Sequence, residues 1–288
     1  MASSLSFESI APHIAPQVDA ALREDLGDGD HSSLACIPPD QRGRVRMIVK
    51  DRGILAGMAL CRFIAHRYDP ELHIEILLAD GSPVSEGDFA LTLEGRSHSL
   101  LALERTLLNY VQRLSGIATH TRAHVDRIAH TRCQLLDTRK TTPGLRWLEK
   151  WAVGLGGGVN HRIGLYDAIM LKDNHIDLAG GIPKAMERTR LYLTHHQLTL
   201  PIIVEVRTLE ELTQALAEPG IDRILIDNFP LDRAREAVRI TAGRIPLEAS
   251  GGIDLDTIAA HAETGVDFAS VGGLTHRFRS LDLSLKAF

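Results

Sequence analysis

The sequence predicts an α/β chain of two units: an N-terminal α/β sandwich, then an irregular, incomplete α/β barrel with parallel strands. Three observations carry this. From Cys133 onward, apolar runs recur and each ends on a polar or charged residue. Helix-like stretches lie between most of them, the rhythm of a parallel sheet. Before that, strand and helix patterns do not alternate regularly, which marks a mixed α+β unit. The 288 residues suffice for one large domain or two ordinary ones. The boundaries are placed at 1–115 for the sandwich and 116–274 for the barrel, with 275–288 packing back on the first unit.

Taken in order, residues 17–30 read as a short helix followed by a Gly/Asp loop. RGRVRMIVKDRG (42–53), LHIEILLADG (72–81) and GDFALTLEG (87–95) alternate and are bounded by Gly, Pro and Asp, so they read as strands. Between the first two, ILAGMALCRFIAHRY (54–68) is apolar at helical spacing. A long helix is predicted from Ser97 to Leu114. Leu100, Leu103, Leu107, Val111 and Leu114 form its buried stripe, and Gly116 is its C-cap.

The second unit holds six apolar runs: CQLLDTRK, DAIMLK, PIIVEV, RILIDN, IPLEAS and DFASVGG. The polar residues at their ends are Thr138, Lys172, Glu205, Asp227, Ser250 and Gly272, spaced by 34, 33, 22, 23 and 22 residues. Gly154, Gly156, Gly157 and Gly158 do not make a dinucleotide fingerprint, because Val159 stands at the sixth position. That favours a barrel over a Rossmann sheet, and six strands rather than eight make it irregular. In barrels the chemistry gathers at the carboxyl ends of the strands.

Composition narrows the function classes. Hydrophobic residues make up 44% and charged residues 24%, enough for a packed core. Lys+Arg is 32 against Asp+Glu 37, a net charge of -5, which argues against a nucleic-acid binder. No stretch reaches the ~20 apolar residues of a membrane span, and MASSLSFESIAPHIAP lacks the basic start and apolar run of a secretory leader. Cys36, Cys61 and Cys133 are odd in number and too far apart for a CxxC pair. A cytoplasmic protein with reduced thiols is expected.

Three groups of residues carry chemistry. Arg139, Lys140 and Lys172, with Asn160-His161-Arg162 nearby, are ordinary solvated charges if taken singly. At strand ends, however, they converge on one rim. Each like-charged pair at ~4 Å would cost roughly 4 kcal/mol at an effective dielectric of ~20, so a polyanionic ligand is the natural occupant. Arginine suits carboxylate and phosphate through its planar fork. The second group is Ser250-Gly251-Gly252, running toward a predicted helix at 255–263, together with Val271-Gly272-Gly273. One Gly-Gly is usually only a tight turn, but two on the last two strand ends match the place where barrels bind phosphate. The third is the acid pair Glu205 and Asp227, which suits ribose hydroxyls or Mg²⁺. His120 and His124 lack the Glu of a HExxH zinc motif, and Asp28 with Asp30 lacks the glycine of a calcium loop.

EDLGDGD, ERTLLN with QRLSGIAT, DTRKTTPG, EKWAV, GGGVNHRIGLYDAIMLKDNH, IVEV, LIDNF, EASGGI and SVGGLTH together resemble the quinolinate phosphoribosyltransferase family over nearly the whole chain. The resemblance implies joining quinolinate to phosphoribosyl pyrophosphate with Mg²⁺ present. The products would be nicotinate mononucleotide, pyrophosphate and CO₂, a step of NAD biosynthesis. Carried over, Arg105, Arg139, Lys140, His161, Arg162 and Lys172 would surround the quinolinate carboxylates. Thr138 would line the same pocket. Glu205 and Asp227 would hold the ribose hydroxyls and the Mg²⁺–pyrophosphate. Ser250, Gly251, Gly252, Val271, Gly272 and Gly273 would hold the 5′-phosphate. Lys140, Lys172, Glu205 and Asp227 would act most directly in catalysis. The family is a homodimer in which Arg105 would enter its partner's site. Two positions depart from the family pattern: Ile203 replaces the first Glu of EVEV, and Gly154 stands where a basic residue is common. The competing readings are a sister pyrophosphorylase with another acceptor and a non-catalytic phosphate-binding module.

Overall fold

The computed structural model describes residues 5–288. Residues 1–4, part of the first predicted unit and of the segment read as lacking a leader, lie outside it. The first unit runs α1 (Phe7–Leu26), α2 (His31–Cys36), β1 (Arg42–Val49), β2 (Gly53–Ile54), α3 (Met58–Tyr68), β3 (His73–Ile76), β4 (Pro83–Val84), β5 (Phe89–Arg96) and α4 (Ser97–Ile128). Helix α1 begins ten residues earlier than the sequence suggested and contains Pro12 and Pro16. A proline inside a helix costs ~3 kcal/mol. Burial of Ile10, Ile14, Val18 and Leu22 along one face offsets it. The Asp30 carboxylate caps α2 by accepting from the backbone of Ser32 and Ser33, so the Asp28/Asp30 loop has a local structural task.

The three predicted strands form a four-stranded antiparallel sheet in the order β12-β1-β5-β3. Its fourth member is β12 (Leu283–Ala287), which pairs with β1 from Val45↔Ala287 to Val49↔Leu283. The end of the chain therefore returns to the first unit.

The predicted stripe of α4 is buried throughout, but Gly116 does not cap the helix. The helix continues to Ile128. Gly116 is a contact point: a Cβ there would lie 2.4 Å from the Arg279 carbonyl oxygen and 2.9 Å from the Phe278 ring. A glycine that reads as a stop in sequence is here the place where the 278–280 segment passes against the helix.

The second unit runs β6 (Gln134–Leu136), α5 (Arg146–Leu155), β7 (Ile169–Leu171), α6 (Asp173–Ala179), α7 (Ile182–His196), β8 (Ile202–Val206), α8 (Leu209–Ala217), β9 (Arg223–Asp227), α9 (Leu231–Thr241), β10 (Leu247–Ser250), α10 (Ile258–Ala262) and β11 (Phe268–Ser270). All six predicted strands form one parallel sheet in the order β6-β11-β10-β9-β8-β7. The barrel is incomplete between β6 and β7. Val159 bridges to Leu136 on the free side of β6, so an irregular segment occupies part of the gap. The helix predicted at 255–263 shrinks to α10, because Asp254 accepts from the backbone of Asp256 and Thr257 and holds a turn before it.

Gly116→Ala separates two opposite effects. Helix propensity alone would raise stability by ~1 kcal/mol. The contact with residues 278–280 makes the change overpacking, which lowers stability by about 1–3 kcal/mol in a urea titration. A rise in stability would show that the segment is not docked there.

Candidate active site

A cavity of about 670 Å³ opens at the carboxyl ends of the barrel strands. Its wall brings together Thr138, Arg139, Lys140, His161, Arg162, Lys172, Glu205, Asp227, Ser250, Gly251, Gly252 and Gly272. Of the other predicted site residues, Val271 is buried beneath the rim and Gly273 faces the Arg277 side chain. Arg105 is exposed on α4 and lines no part of its own chain's cavity. Period-two alternation explains the wall. Glu205, Asp227 and Ser250 face the interior at the strand ends. Leu225 and Glu248, two residues earlier on their strands, line the level below.

Two anchored segments carry the cations. The first is the loop after β6. Thr138 accepts from the Lys140 backbone at 3.0 Å, and Thr275 donates to the Lys140 carbonyl at 2.7 Å. Arg146 donates to Thr141 at 3.0 Å. Buried Glu149 accepts from the Thr142 backbone at 3.0 Å and from the Arg113 guanidinium of α4. Arg113 also donates to the Thr142 hydroxyl at 2.6 Å. Thus α4 and α5 jointly position Arg139 and Lys140.

The second segment, Asn160–Arg162, is tied to β6 by a buried polar cluster. Asp137 and Lys150 are both fully buried and ion-paired. Asp137 also accepts from the His161 backbone at 2.7 Å and from the Asn160 amide at 2.8 Å, while Lys150 donates to the His161 carbonyl at 2.9 Å. Burial pushes the Asp137 carboxyl up and the Lys150 ammonium down, against the pull of their contact. Arg162 donates to the Ala168 carbonyl at 3.0 Å. Burial, and next the Arg139 charge, hold Arg162 below the ordinary guanidinium range. The like charges therefore converge on one space.

Lys172 stands at the end of β7, 3.4 Å from Glu205 Oε2. His175 accepts from the Lys172 backbone at 3.0 Å, a local capping contact. Burial raises Glu205, with Asp227 adding to the rise and Lys172 opposing it. On the opposite wall Gly251 has φ +101°, and a Cβ would fall 2.2 Å from Asn228 Oδ1. Only glycine fits this crossing. A Cβ on Gly272 would meet the Lys140 side chain at 2.9 Å. The predicted helix N-terminus does not contribute to the cradle, since α10 starts at Ile258.

Sequence reasoning passed over Glu248, Ser270 and Asn228, all in the wall, and the support from Asp137, Lys150, Glu149 and Arg113. Glu248 was within reach: it lies two residues before Ser250 and so shares its strand face.

Comparison with known proteins agrees with this geometry. The description "Quinolinate phosphoribosyl transferase, C-terminal domain" matches residues 117–286, and its N-terminal counterpart matches residues 30–115. The chain belongs to the quinolinate phosphoribosyltransferase family. It is 43% identical over 262 residues to a probable nicotinate-nucleotide pyrophosphorylase of Bacillus subtilis, covering 91% of this chain and 89% of that one. It is 42% identical over 309 residues to the chloroplastic nicotinate-nucleotide pyrophosphorylase of Oryza sativa subsp. japonica, covering 99% and 83%. Among solved structures, NadC from Streptococcus pyogenes has a TM-score of 0.91 at 38% identity over 99% of each chain. Within this quinolinate phosphoribosyltransferase chain, the Ile203 departure falls at the amino end of β8, paired with Arg223 and away from the cavity wall.

Lys150→Met removes one partner of the buried pair and leaves Asp137 without its cation. Loss of roughly 3–5 kcal/mol of unfolding free energy is expected. A loss below about 1 kcal/mol in chemical denaturation would show that the pair does not anchor the site.

Proposed function

We propose that this cavity binds quinolinate and phosphoribosyl pyrophosphate side by side, and that the chain joins them with loss of pyrophosphate and CO₂. The product is nicotinate mononucleotide, in NAD biosynthesis. One observation carries the assignment: four cations face a single cavity together with Glu205 and Asp227 at its strand ends and Glu248 on its floor, in a member of this family. Arg139, Lys140, Arg162 and Lys172 would take the two carboxylates of the acceptor. Glu205 and Asp227 would accept from the ribose hydroxyls, and the Gly251–Gly252 turn with Ser250 and Gly272 would hold the 5′-phosphate.

The donor set suits Mg²⁺ when substrate is present. Among the described residues no three His, Cys, Asp or Glu side chains come together as a metal cage. Two carboxylates beside a phosphate site match the habit of Mg²⁺, which keeps waters and takes substrate phosphate oxygens. Glu205 and Asp227 would hold it, directly or through water, and its charge would stabilise the departing pyrophosphate.

The pyridine nitrogen attacks C1 of the ribose as the C1–pyrophosphate bond breaks, through an oxocarbenium-like transition state. The protein's task is to position two anions and stabilise developing charge. Once bonded, the ring nitrogen is cationic. The C2–carboxylate bond can then break toward it as CO₂ departs, and the pair left on C2 takes a proton from water.

Arg105 would reach the cavity of a second copy. Its exposure on α4, outside its own chain's cavity, supports this homodimer reading. The same reading divides the chain at 115/116, within the continuous helix α4, and assigns 275–288 back to the first unit, which the β12–β1 pairing supports. A cytoplasmic setting is supported by three cysteines that stand free of one another. None of the described helices is long and apolar enough to cross a membrane.

Quinolinate and nicotinate offered separately, with phosphoribosyl pyrophosphate and Mg²⁺, decide the acceptor. Turnover with quinolinate and not nicotinate is expected, and the reverse would favour the sister reading. Lys140→Ala should weaken quinolinate binding at least about tenfold, since a charge-assisted bond is worth roughly 1.5–3 kcal/mol. Near-normal affinity would remove Lys140 from the acceptor pocket.

The shared site has its own test. Arg105→Ala and Lys172→Ala should each be nearly inactive. After subunit exchange, heterodimers carry both defects in one site and none in the other. Activity returns to about a quarter of wild type if half the dimers are mixed. Background activity despite demonstrated exchange would place Arg105 in its own chain's site.

A further inference from the structure

The barrel interior holds a second cavity, about 920 Å³, at the amino ends of the strands. His161 and Arg162 line both this rear cavity and the substrate cavity. At the floor of the substrate cavity sits Glu248, fully buried. Arg223, which lines the rear cavity, donates to Glu248 Oε2 at 3.0 Å. The Ser270 hydroxyl donates to Oε1. His161 Nε2 lies 3.4 Å from Oε2. Burial pushes the Glu248 carboxyl up, but His161, Arg223 and Ser270 outweigh it and hold it below the usual Glu value.

The His161 ring is engaged on both sides. The Arg162 backbone N–H donates to Nδ1 at 2.7 Å. Nδ1 is therefore an acceptor, and the proton of the neutral ring sits on Nε2. Nε2 is itself buried, without an aligned hydrogen-bond partner, and the Glu248 carboxylate is within ion-pair reach. The backbone contact to Nδ1 comes from Arg162, the residue that next projects into the cavity.

We propose that His161 and Glu248 form a positioning pair: Glu248 holds the ring with its proton on Nε2, and the ring fixes the backbone of Arg162 so that its guanidinium meets the acceptor. His161 then positions Arg162, and Arg223 neutralises Glu248 from behind. This stands on the assignment of the cavity to quinolinate.

Two measurements test it. Nitrogen-15 spectra of histidine-labelled wild-type protein should show His161 as the Nε2–H tautomer without ligand, and an Nδ1–H tautomer would overturn the proposal. Kinetics supply the second. Glu248→Gln should raise KM for quinolinate at least about tenfold, with kcat and KM for phosphoribosyl pyrophosphate within about threefold of wild type. If Glu248→Gln alone does not fold, the double variant Glu248→Gln/Arg223→Gln removes the unpaired guanidinium. It should regain thermal stability yet keep the raised quinolinate KM. A double variant with wild-type quinolinate KM would reduce Glu248 to a partner of Arg223 and defeat the proposal, as would both KM values rising together in either variant. Absence of quinolinate turnover by wild type would overturn the acceptor assignment instead, and the tautomer measurement would still decide the pair.

Discussion

The site depends on an ion pair that substrate does not touch. Lys150 and Asp137 are removed from water on α5 and just after β6. A buried pair of this kind adds little net stability, but losing either partner is expensive. What it does here is geometric. Asp137 and Lys150 together engage the His161 backbone on both its N–H and its carbonyl. That closes the open side of the barrel beside β6 with a segment that is not a strand. A strand there would present alternating side chains at fixed spacing. The irregular segment presents Asn160, His161 and Arg162 consecutively, each with a different partner. The missing barrel closure and the cation-rich wall are thus one feature.

The six parallel strands and their polar ends were legible because buried parallel strands read as continuous apolar runs with an abrupt polar stop. Glu205, Asp227 and Ser250 followed from that pattern alone. Three things were not legible. The start of α1 was hidden by Pro12 and Pro16, where burial of Ile10 and Ile14 overrides local preference. The true end of α4 was hidden by Gly116, since a glycine that stops a helix and one that admits a crossing segment are the same letter. The helix after Gly252 was too long in the sequence reading, because Asp254 diverts the backbone amides that would have joined it. Tertiary packing decides each of these.

Site chemistry divided along the same line. Exposed charge at strand ends could be listed from sequence, whereas the buried charge that holds it could not. Glu149 and Lys150 are adjacent on α5, yet one braces the loop of Arg139 and Lys140 and the other braces the segment of His161 and Arg162. Nothing in EKWAV as a string separates two exposed charges from two fully buried ones. Only the positions of Arg113 and Asp137 do, and both come from elsewhere in the chain.

An acidic chain that concentrates cations in one cavity faces an electrostatic problem when empty. The overall charge of -5 gives no local relief at Arg139 and Arg162, since distant surface acids are screened beyond about 8–10 Å. The wall carries its own partial compensation. Glu205 sits 3.4 Å from Lys172 on the rim, and Glu248 lies below His161 on the floor. These two carboxylates differ in kind. Glu205 is pushed up by its surroundings and Glu248 is held down by them. The floor carboxylate is favoured in its charged form by His161, Arg223 and Ser270. The rim charge is held at an energetic disadvantage that a cationic or hydroxyl-bearing ligand would relieve. The two carboxylates of the wall thus have opposite surroundings: Glu205 beside Asp227 and Lys172 at the strand ends, Glu248 among His161, Arg223 and Ser270 below.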